Sequence, residues 1–114
     1  MADCLFCKII AGEIPGTILY QDDTLVVLKD INPQAPTHAL IVPRRHIATL
    51  NDLTAEDDQL VGEMTRRAAA IAGEHGHADR GYRTIFNCNA DAGQTVFHIH
   101  MHVLGGRRLG WPPG

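Results

Sequence analysis

Phe97-His98-Ile99-His100-Met101-His102-Val103-Leu104 alternates apolar residues with histidines and closes on an apolar pair. Successive side chains of a β-strand point to opposite faces, so His98, His100 and His102 share one face at intervals of roughly 6.5–7 Å. Phe97, Ile99, Met101 and Val103 face the other way and read as core. The segment from Val96 to Leu104 is therefore expected to be a strand with a packed face below and an imidazole-bearing face above. Three imidazoles are poor core material and an unusual solvent face. Two uses compete for them. His-x-His can aim two nitrogens at one metal, with a third ligand from elsewhere. Alternatively one histidine is a nucleophile and its neighbours orient it and handle protons. Neutral imidazole attacks phosphorus well and leaves readily from a phosphoramidate, and its ordinary pKa of ~6.5 keeps the neutral form abundant at pH 7.

The residues just before this strand favour phosphorus. Ala92-Gly93-Gln94-Thr95-Val96 has a glycine that lets the backbone approach a phosphate, followed by amide and hydroxyl donors. A metal site would call for nearby carboxylates, and the nearest in sequence is Asp91.

Working outward, Leu5 to Ala11 reads as a short helix closed by Gly12 and Pro15. Thr17–Tyr20 and Leu25–Leu28 read as a hairpin around Gln21-Asp22-Asp23-Thr24, and His38–Pro43 as a third strand. Asn32-Pro33 and Ala35-Pro36 make Asp30–Thr37 a loop. Thr54 with Asp57 resembles a capping box, and Leu60, Val61, Met64, Ala68, Ile71 and Ala72 then fall at helical spacing to about Glu74. Gly76 is placed to stop that helix, with His75 and His77 at an exposed end. Arg83–Asn87 is a fourth strand, and Asn89–Gly93 a polar loop. Hairpins, one long helix and more strands give an α+β class: an antiparallel five-stranded sheet with a long helix on one face and a short N-terminal helix.

Composition sets the bounds. The 114 residues fit a single domain, 1–114, and are 45% apolar and 20% charged, which is globular rather than disordered or repetitive. No apolar run approaches the ~18 residues of a membrane span. The net charge of −3 excludes the basic field of a general nucleic-acid binder. The N-terminus lacks a basic segment followed by an apolar core, so a cytoplasmic setting is expected. Cys4, Cys7 and Cys88 are too few for a disulfide framework. Cys4-x-x-Cys7 alone reads as a redox pair, as half of a four-ligand zinc site, or as two structural thiols.

Across almost the whole chain these residues resemble the histidine-triad superfamily. His98-Ile99-His100-Met101-His102-Val103-Leu104 is similar to its defining motif. Asp30–His38 looks like its ribose-side loop, with Pro43-Arg44-Arg45-His46-Ile47 following. Val103-Leu104-Gly105-Gly106-Arg107 and Trp111-Pro112-Pro113-Gly114 are similar to the Hint branch, which contains purine nucleoside phosphoramidases. The triad alone is shared with dinucleoside polyphosphate hydrolases and nucleotidyl transferases.

The resemblance implies a histidine-triad fold and attack by His100 on the α-phosphorus of a nucleoside 5′-phosphoramidate. The nucleotidyl-histidine so formed is then hydrolysed. It implies that His102 contacts phosphate, His98 belongs to the catalytic triad, His38 supports the orientation of the nucleophile, and Thr95 supplies a hydroxyl where the branch commonly has serine. It gives Asp30 to the ribose hydroxyls, Ile31 to sugar or base, Asn87 to the ribose and phosphate, and Gly93, Gln94 and Thr95 to the phosphate. By itself Asp30 reads as a turn residue and Asn87 as a strand-end cap. Phe6, Ile9, Ile10, Ile18 and Leu28 could form an apolar slot for a purine. Some bacterial relatives join Cys-x-x-Cys to two histidines around zinc, matching Cys4, Cys7, His46 and His98 here; such a closed site is structural, and no cofactor is expected for catalysis. A homodimer is implied, with the long helix and fourth strand at the interface and the tail around Trp111 reaching the partner's cleft. A dinucleoside polyphosphate hydrolase, a nucleotide-binding regulatory module with vestigial hydrolysis, and an enzyme with zinc on the triad are the alternatives.

Overall fold

A computed structural model describes residues 3–114. The elements in chain order are α1 (Leu5–Ile10), β1 (Ile18–Gln21), β2 (Leu25–Lys29), β3 (Thr37–Pro43), α2 (Asp58–Glu74), β4 (Tyr82–Phe86) and β5 (Met101–Gly105). The strands form one sheet in the order β1-β2-β3-β5-β4, and every neighbouring pair is antiparallel. The expected α+β architecture is the one observed.

Two apolar clusters occupy the two faces of this sheet. Leu25, Val27, Ala39, Ile41, Met101 and Val103 pack with Met64, Ala68, Ile71 and Ala72 of α2. Val26, Leu28, Leu40 and Val42 pack with Phe6 of α1, and Ile9 and Ile10 flank them. Residues of β2 and β3 thus alternate between two dry faces, which is why both strands read as continuous apolar runs. Burial on both sides leaves no polar face that could tolerate a register slip.

Both ends of α2 are tied as the sequence implies. Thr54 and Asp57 form a capping box, but around a 3₁₀ turn, Ala55–Asp57, that leads into the helix. Arg45 reaches across to pair with Asp57. At the far end Gly76 has φ 83°, its N–H donates to Gly73 O and the His77 N–H to Ala72 O, a Schellman stop. His77 is not at an exposed end as expected. Its Nε2 lies 2.8 Å from Thr37 Oγ1, and its ring lies so close to Gly105 that a Cβ there would sit 2.6 Å from it.

The histidine strand is shorter than its alternation suggests. The ladder begins at Met101, where Ile41 and Phe86 are its partners, so Val96–His100 is not strand. The cause lies opposite. Pro43 has no N–H to donate, and its carbonyl accepts from His98 Nε2 at 2.7 Å. The Ile99 N–H is drawn to Ile47 O, at 2.7 Å. Ile99, Met101 and Val103 do join the α2 core, whereas Phe97 remains 49% exposed.

Ile71 is 1% exposed and seats α2 on the sheet. Ile71→Ala is expected to cost about 2–5 kcal/mol through lost burial and an unfilled cavity, measured as a lowered urea midpoint at unchanged slope.

Candidate active site

Register brings the reactive groups together. Leu40 pairs with His102 and His38 with Leu104, so His38 and His102 are diagonal neighbours on the α1 face of the sheet. The Asp30 N–H donates to His38 O, which places the carboxylate beside the same ring. Above them a cleft of about 320 Å3 is lined by Phe6, Ile9, Leu28, Asp30, His100 and His102, with Thr95 and Ile31 at its edge.

Hydrogen bonds assign the protons of these rings. The Gln34 N–H donates to His38 Nδ1 at 3.0 Å, so neutral His38 carries its proton on Nε2. That N–H donates to His102 Nδ1 at 2.9 Å, with Asp30 Oδ2 at 3.4 Å. His102 accepts at Nδ1 and so keeps its proton on Nε2. His100 Nδ1 lies 2.8 Å from His98 O. A carbonyl only accepts, so His100 donates there and its lone pair stands on Nε2. Burial holds His38 and His100 below the ordinary histidine pKa, and Asp30 opposes that shift in both. Burial pushes His102 furthest, to about 4, helped by His100 and His38 and opposed by Asp30. The site therefore presents a neutral imidazole lone pair beside an imidazole N–H donor.

His98 belongs elsewhere. It is 0% exposed, does not line the cleft, and donates from Nε2 to Pro43 O. Its Nδ1 lone pair lies 3.3 Å from Cys4 Sγ, 3.6 Å from Cys7 Sγ and 3.2 Å from His46 Nδ1, and Cys7 Sγ is 3.5 Å from His46 Nδ1. Ligand bonds of 2.3 Å to sulfur and 2.0–2.1 Å to nitrogen at tetrahedral angles would separate the donors by about 3.3–3.8 Å. The Cys4, Cys7, His46 and His98 donors, all within 4.8 Å of one another, fit a tetrahedral ion with little adjustment. Burial pushes the Cys7 thiol up, as does the adjacent Cys4, while burial pushes His98 down against its bond to Pro43.

Other expected residues fall less evenly. Phe6, Ile9 and Leu28 line the cleft, but Ile10 and Ile18 do not. The cleft wall instead uses Leu5, Pro15, Gly16, Leu40 and Val96, residues that only the docking of α1 brings together. Ile31 is 96% exposed at the cleft rim. Asp30 Oδ1 accepts from the Asn32 N–H at 2.8 Å, so the carboxylate makes its turn and also faces the cleft. Asn87 is half-buried beyond β4 and is not among the cleft-lining residues.

Gly93 and Gln94 shape the loop ahead of Thr95 by internal bonds. Their N–H groups donate to Ala90 O and Asn89 O. The Gln94 side chain accepts from the Asn89 N–H and donates to Ala48 O and Val96 O. Both residues spend these donors shaping the loop, and Thr95 is the member that reaches the cleft. Cys88 is half-buried outside both clusters.

Comparison with known proteins shows the family. A family model described as scavenger mRNA decapping enzyme C-term binding matches residues 3–109. The purine nucleoside phosphoramidase of Escherichia coli (strain K12) is 54% identical over 108 residues, 95% of this chain and 91% of that one. The chain belongs to the histidine-triad superfamily, in its Hint-like branch. Among solved histidine-triad structures, the HIT family hydrolase from Legionella pneumophila Philadelphia 1 superposes with TM-score 0.96 at 50% identity, covering 98% of this chain and 100% of that one. The HIT family hydrolase from Clostridium thermocellum gives 0.93 at 45% identity over 96% of each. Among the described residues of this histidine-triad chain, no helix is long and apolar enough to cross a membrane.

The neutral pair sets an acid limit. In the unfolded chain His102 takes up a proton near pH 6.5, but in the folded protein only near pH 4. The unfolded state therefore binds more protons between those values, and stability falls as pH drops from 6.5 towards 4. His102→Gln is expected to flatten that decline, read as urea midpoints across the interval.

Proposed function

We propose that the protein is a purine nucleoside phosphoramidase, hydrolysing adenosine and guanosine 5′-phosphoramidates to the nucleoside monophosphate and an amine. The observation that carries the reading is the tautomer of His100: its Nδ1–H is committed to the His98 carbonyl, which leaves a neutral Nε2 lone pair in the cleft. The similarity to the Escherichia coli phosphoramidase supports the substrate class.

In the first step Nε2 of His100 bonds to phosphorus and the P–N bond breaks. The departing nitrogen takes a proton and leaves as the amine. Water then attacks phosphorus, the P–N bond to His100 breaks, and the nucleoside monophosphate leaves with the proton inventory restored. The His102 Nε2–H and the Thr95 hydroxyl are the donors for phosphoryl oxygens and the departing nitrogen. His38 holds the His102 tautomer by its 2.9 Å bond. Asp30 is read as the ribose partner, keeping one oxygen for its own turn. The purine rests on the apolar wall of Phe6, Ile9 and Leu28, which has no dedicated base donor and so accepts adenine and guanine alike.

Cys4, Cys7, His46 and His98 are read as the ligands of one structural zinc ion. When bound, zinc ties the N-terminal segment to the backbone before β5 and supplies no group to the phosphate. The chain is read as a cytoplasmic homodimer. β4 is an edge strand of the sheet, and its outer backbone groups and half-exposed Tyr82 are suited to pairing with a second copy.

Initial-rate hydrolysis of adenosine 5′-phosphoramidate tests the reaction. Release of AMP is expected from the wild type, with a drop of at least about 10³-fold in His100→Ala and about 10²–10⁴-fold in His102→Ala. AMP binding without turnover, or turnover confined to diadenosine polyphosphates, would overturn the reading. For the metal, elemental analysis should find one zinc ion per chain. Its removal by a chelator should lower Tm, and Cys7→Ser should abolish retention.

A further inference from the structure

The cysteine cluster and the cleft share a piece of backbone. His98 sends its ring to Cys4, Cys7 and His46, while its carbonyl accepts the His100 Nδ1–H. Val96–His100 lies outside the β-ladder, so sheet hydrogen bonds do not hold that carbonyl. What holds it is the Ile99 N–H bond to Ile47 O and the buried His98 ring. That ring is gripped on one edge by Pro43 O and on the other by the cluster. The helix that carries Cys7 also supplies Phe6, whose ring packs edge-on against both His98 and His100, at 6.0 and 4.9 Å between centroids.

We propose that Cys4 and Cys7 are a peroxide-sensitive thiol pair controlling the nucleophile: closing a Cys4–Cys7 disulfide withdraws both sulfurs from His98 and His46 and loosens the carbonyl that fixes the His100 tautomer. The inference rests on the reading of His100 as nucleophile. Two features of the pair suit it to oxidation. Cys4 caps α1 and accepts the Cys7 N–H on its sulfur at 3.3 Å, and the two sulfurs lie within 4.8 Å of each other, near enough for side-chain rotation to bring them to bonding distance. Both thiols are half-buried, within reach of a molecule as small as hydrogen peroxide, whereas His98 is sealed.

The step balances. The two thiols give up two protons and two electrons and form one S–S bond. The O–O bond of the peroxide breaks and two waters form. A disulfide sulfur is a far weaker metal ligand than a thiolate, so where an ion is bound the pair reacts as two thiolates, the two protons for water come from solvent, and the ion is released. With its acceptor no longer held in place, His100 shifts part of its population to the tautomer with the proton on Nε2, and the lone pair in the cleft is depleted.

The test uses the full chain as purified, carrying Cys88→Ala so that the two cluster thiols are the only ones. Protein is treated with hydrogen peroxide and then with dithiothreitol. Expected are loss of two hydrogens in mass, a disulfide mapped to Cys4 and Cys7, and a turnover decrease of at least about tenfold, as for other enzymes left in the wrong histidine tautomer. Dithiothreitol should reverse all three. Long-range proton–nitrogen spectra should show the His100 Nδ1–H pattern in the reduced protein and its loss on oxidation, and Cys7→Ser should be insensitive to peroxide. Failure of the disulfide to form sinks the thiol site. A disulfide that forms with the His100 pattern unchanged sinks the coupling. Untreated protein with no turnover refutes the nucleophile reading independently, since the spectra still report the coupling. Absence of zinc from the starting protein refutes only the metal reading.

Discussion

The backbone N–H of Gln34 points at Nδ1 of His38, and the proton placement of His38 and His102 follows from that contact. It sets one tautomer, which sets the next through a 2.9 Å bond, and a separate carbonyl sets His100. None of these assignments needs a charge, and burial pushes all three rings toward neutrality. A neutral, oriented lone pair in a partly dry cleft is the condition that nucleophilic attack on phosphorus requires. The sheet contributes the register: with β3 buried on both faces, a slip of one residue would carry His38 to the side of α2 and break the chain of bonds.

The fold was legible in the sequence where two physical signals agreed. The spacing of Leu60, Met64, Ala68 and Ile71 names a helix face, and Thr54, Asp57 and Gly76 mark its ends by their hydrogen-bonding chemistry. The alternation of the triad segment identified a strand but overran its start, because periodicity is blind to the partner. Pro43 withholds a donor, and the Ile99 N–H finds Ile47 instead. His77 departs from its expected exposure for a similar reason. A histidine after a helix-stopping glycine has no local mark of burial, and only the flat faces of Gly105 and Gly106 make room for its ring.

The site was legible in part. His100 and His102 share the cleft, but His38 bonds to His102 where support of His100 is expected, and the His98 carbonyl holds His100 instead. His98 carries the same motif spacing and lies on the same side as His100, against Phe6, but outside the ladder its ring turns to Pro43 O and to the cysteine cluster. Only half of the cleft's apolar wall is legible in the sequence, since Leu5, Leu40 and Val96 come together through tertiary docking alone. The cluster around His98, by contrast, joins residues from three distant parts of the chain whose chemical types had already marked them.

The loop ahead of the triad holds itself. Asn89 sits at φ 65°, a conformation uncommon for a side chain other than glycine. The Gln94 amide braces it by spanning from the Asn89 N–H to Ala48 O and Val96 O. Glutamine is a demanding residue to bury, and here each of its polar atoms is occupied. The consequence concerns association. A loop whose internal bonds are complete before a ligand arrives loses little conformational entropy when one docks, so the ordering cost falls on folding and is not levied again at every encounter. Such a loop contributes shape at a constant thermodynamic cost, and the affinity of the cleft can then be set by the few donors that still face outward.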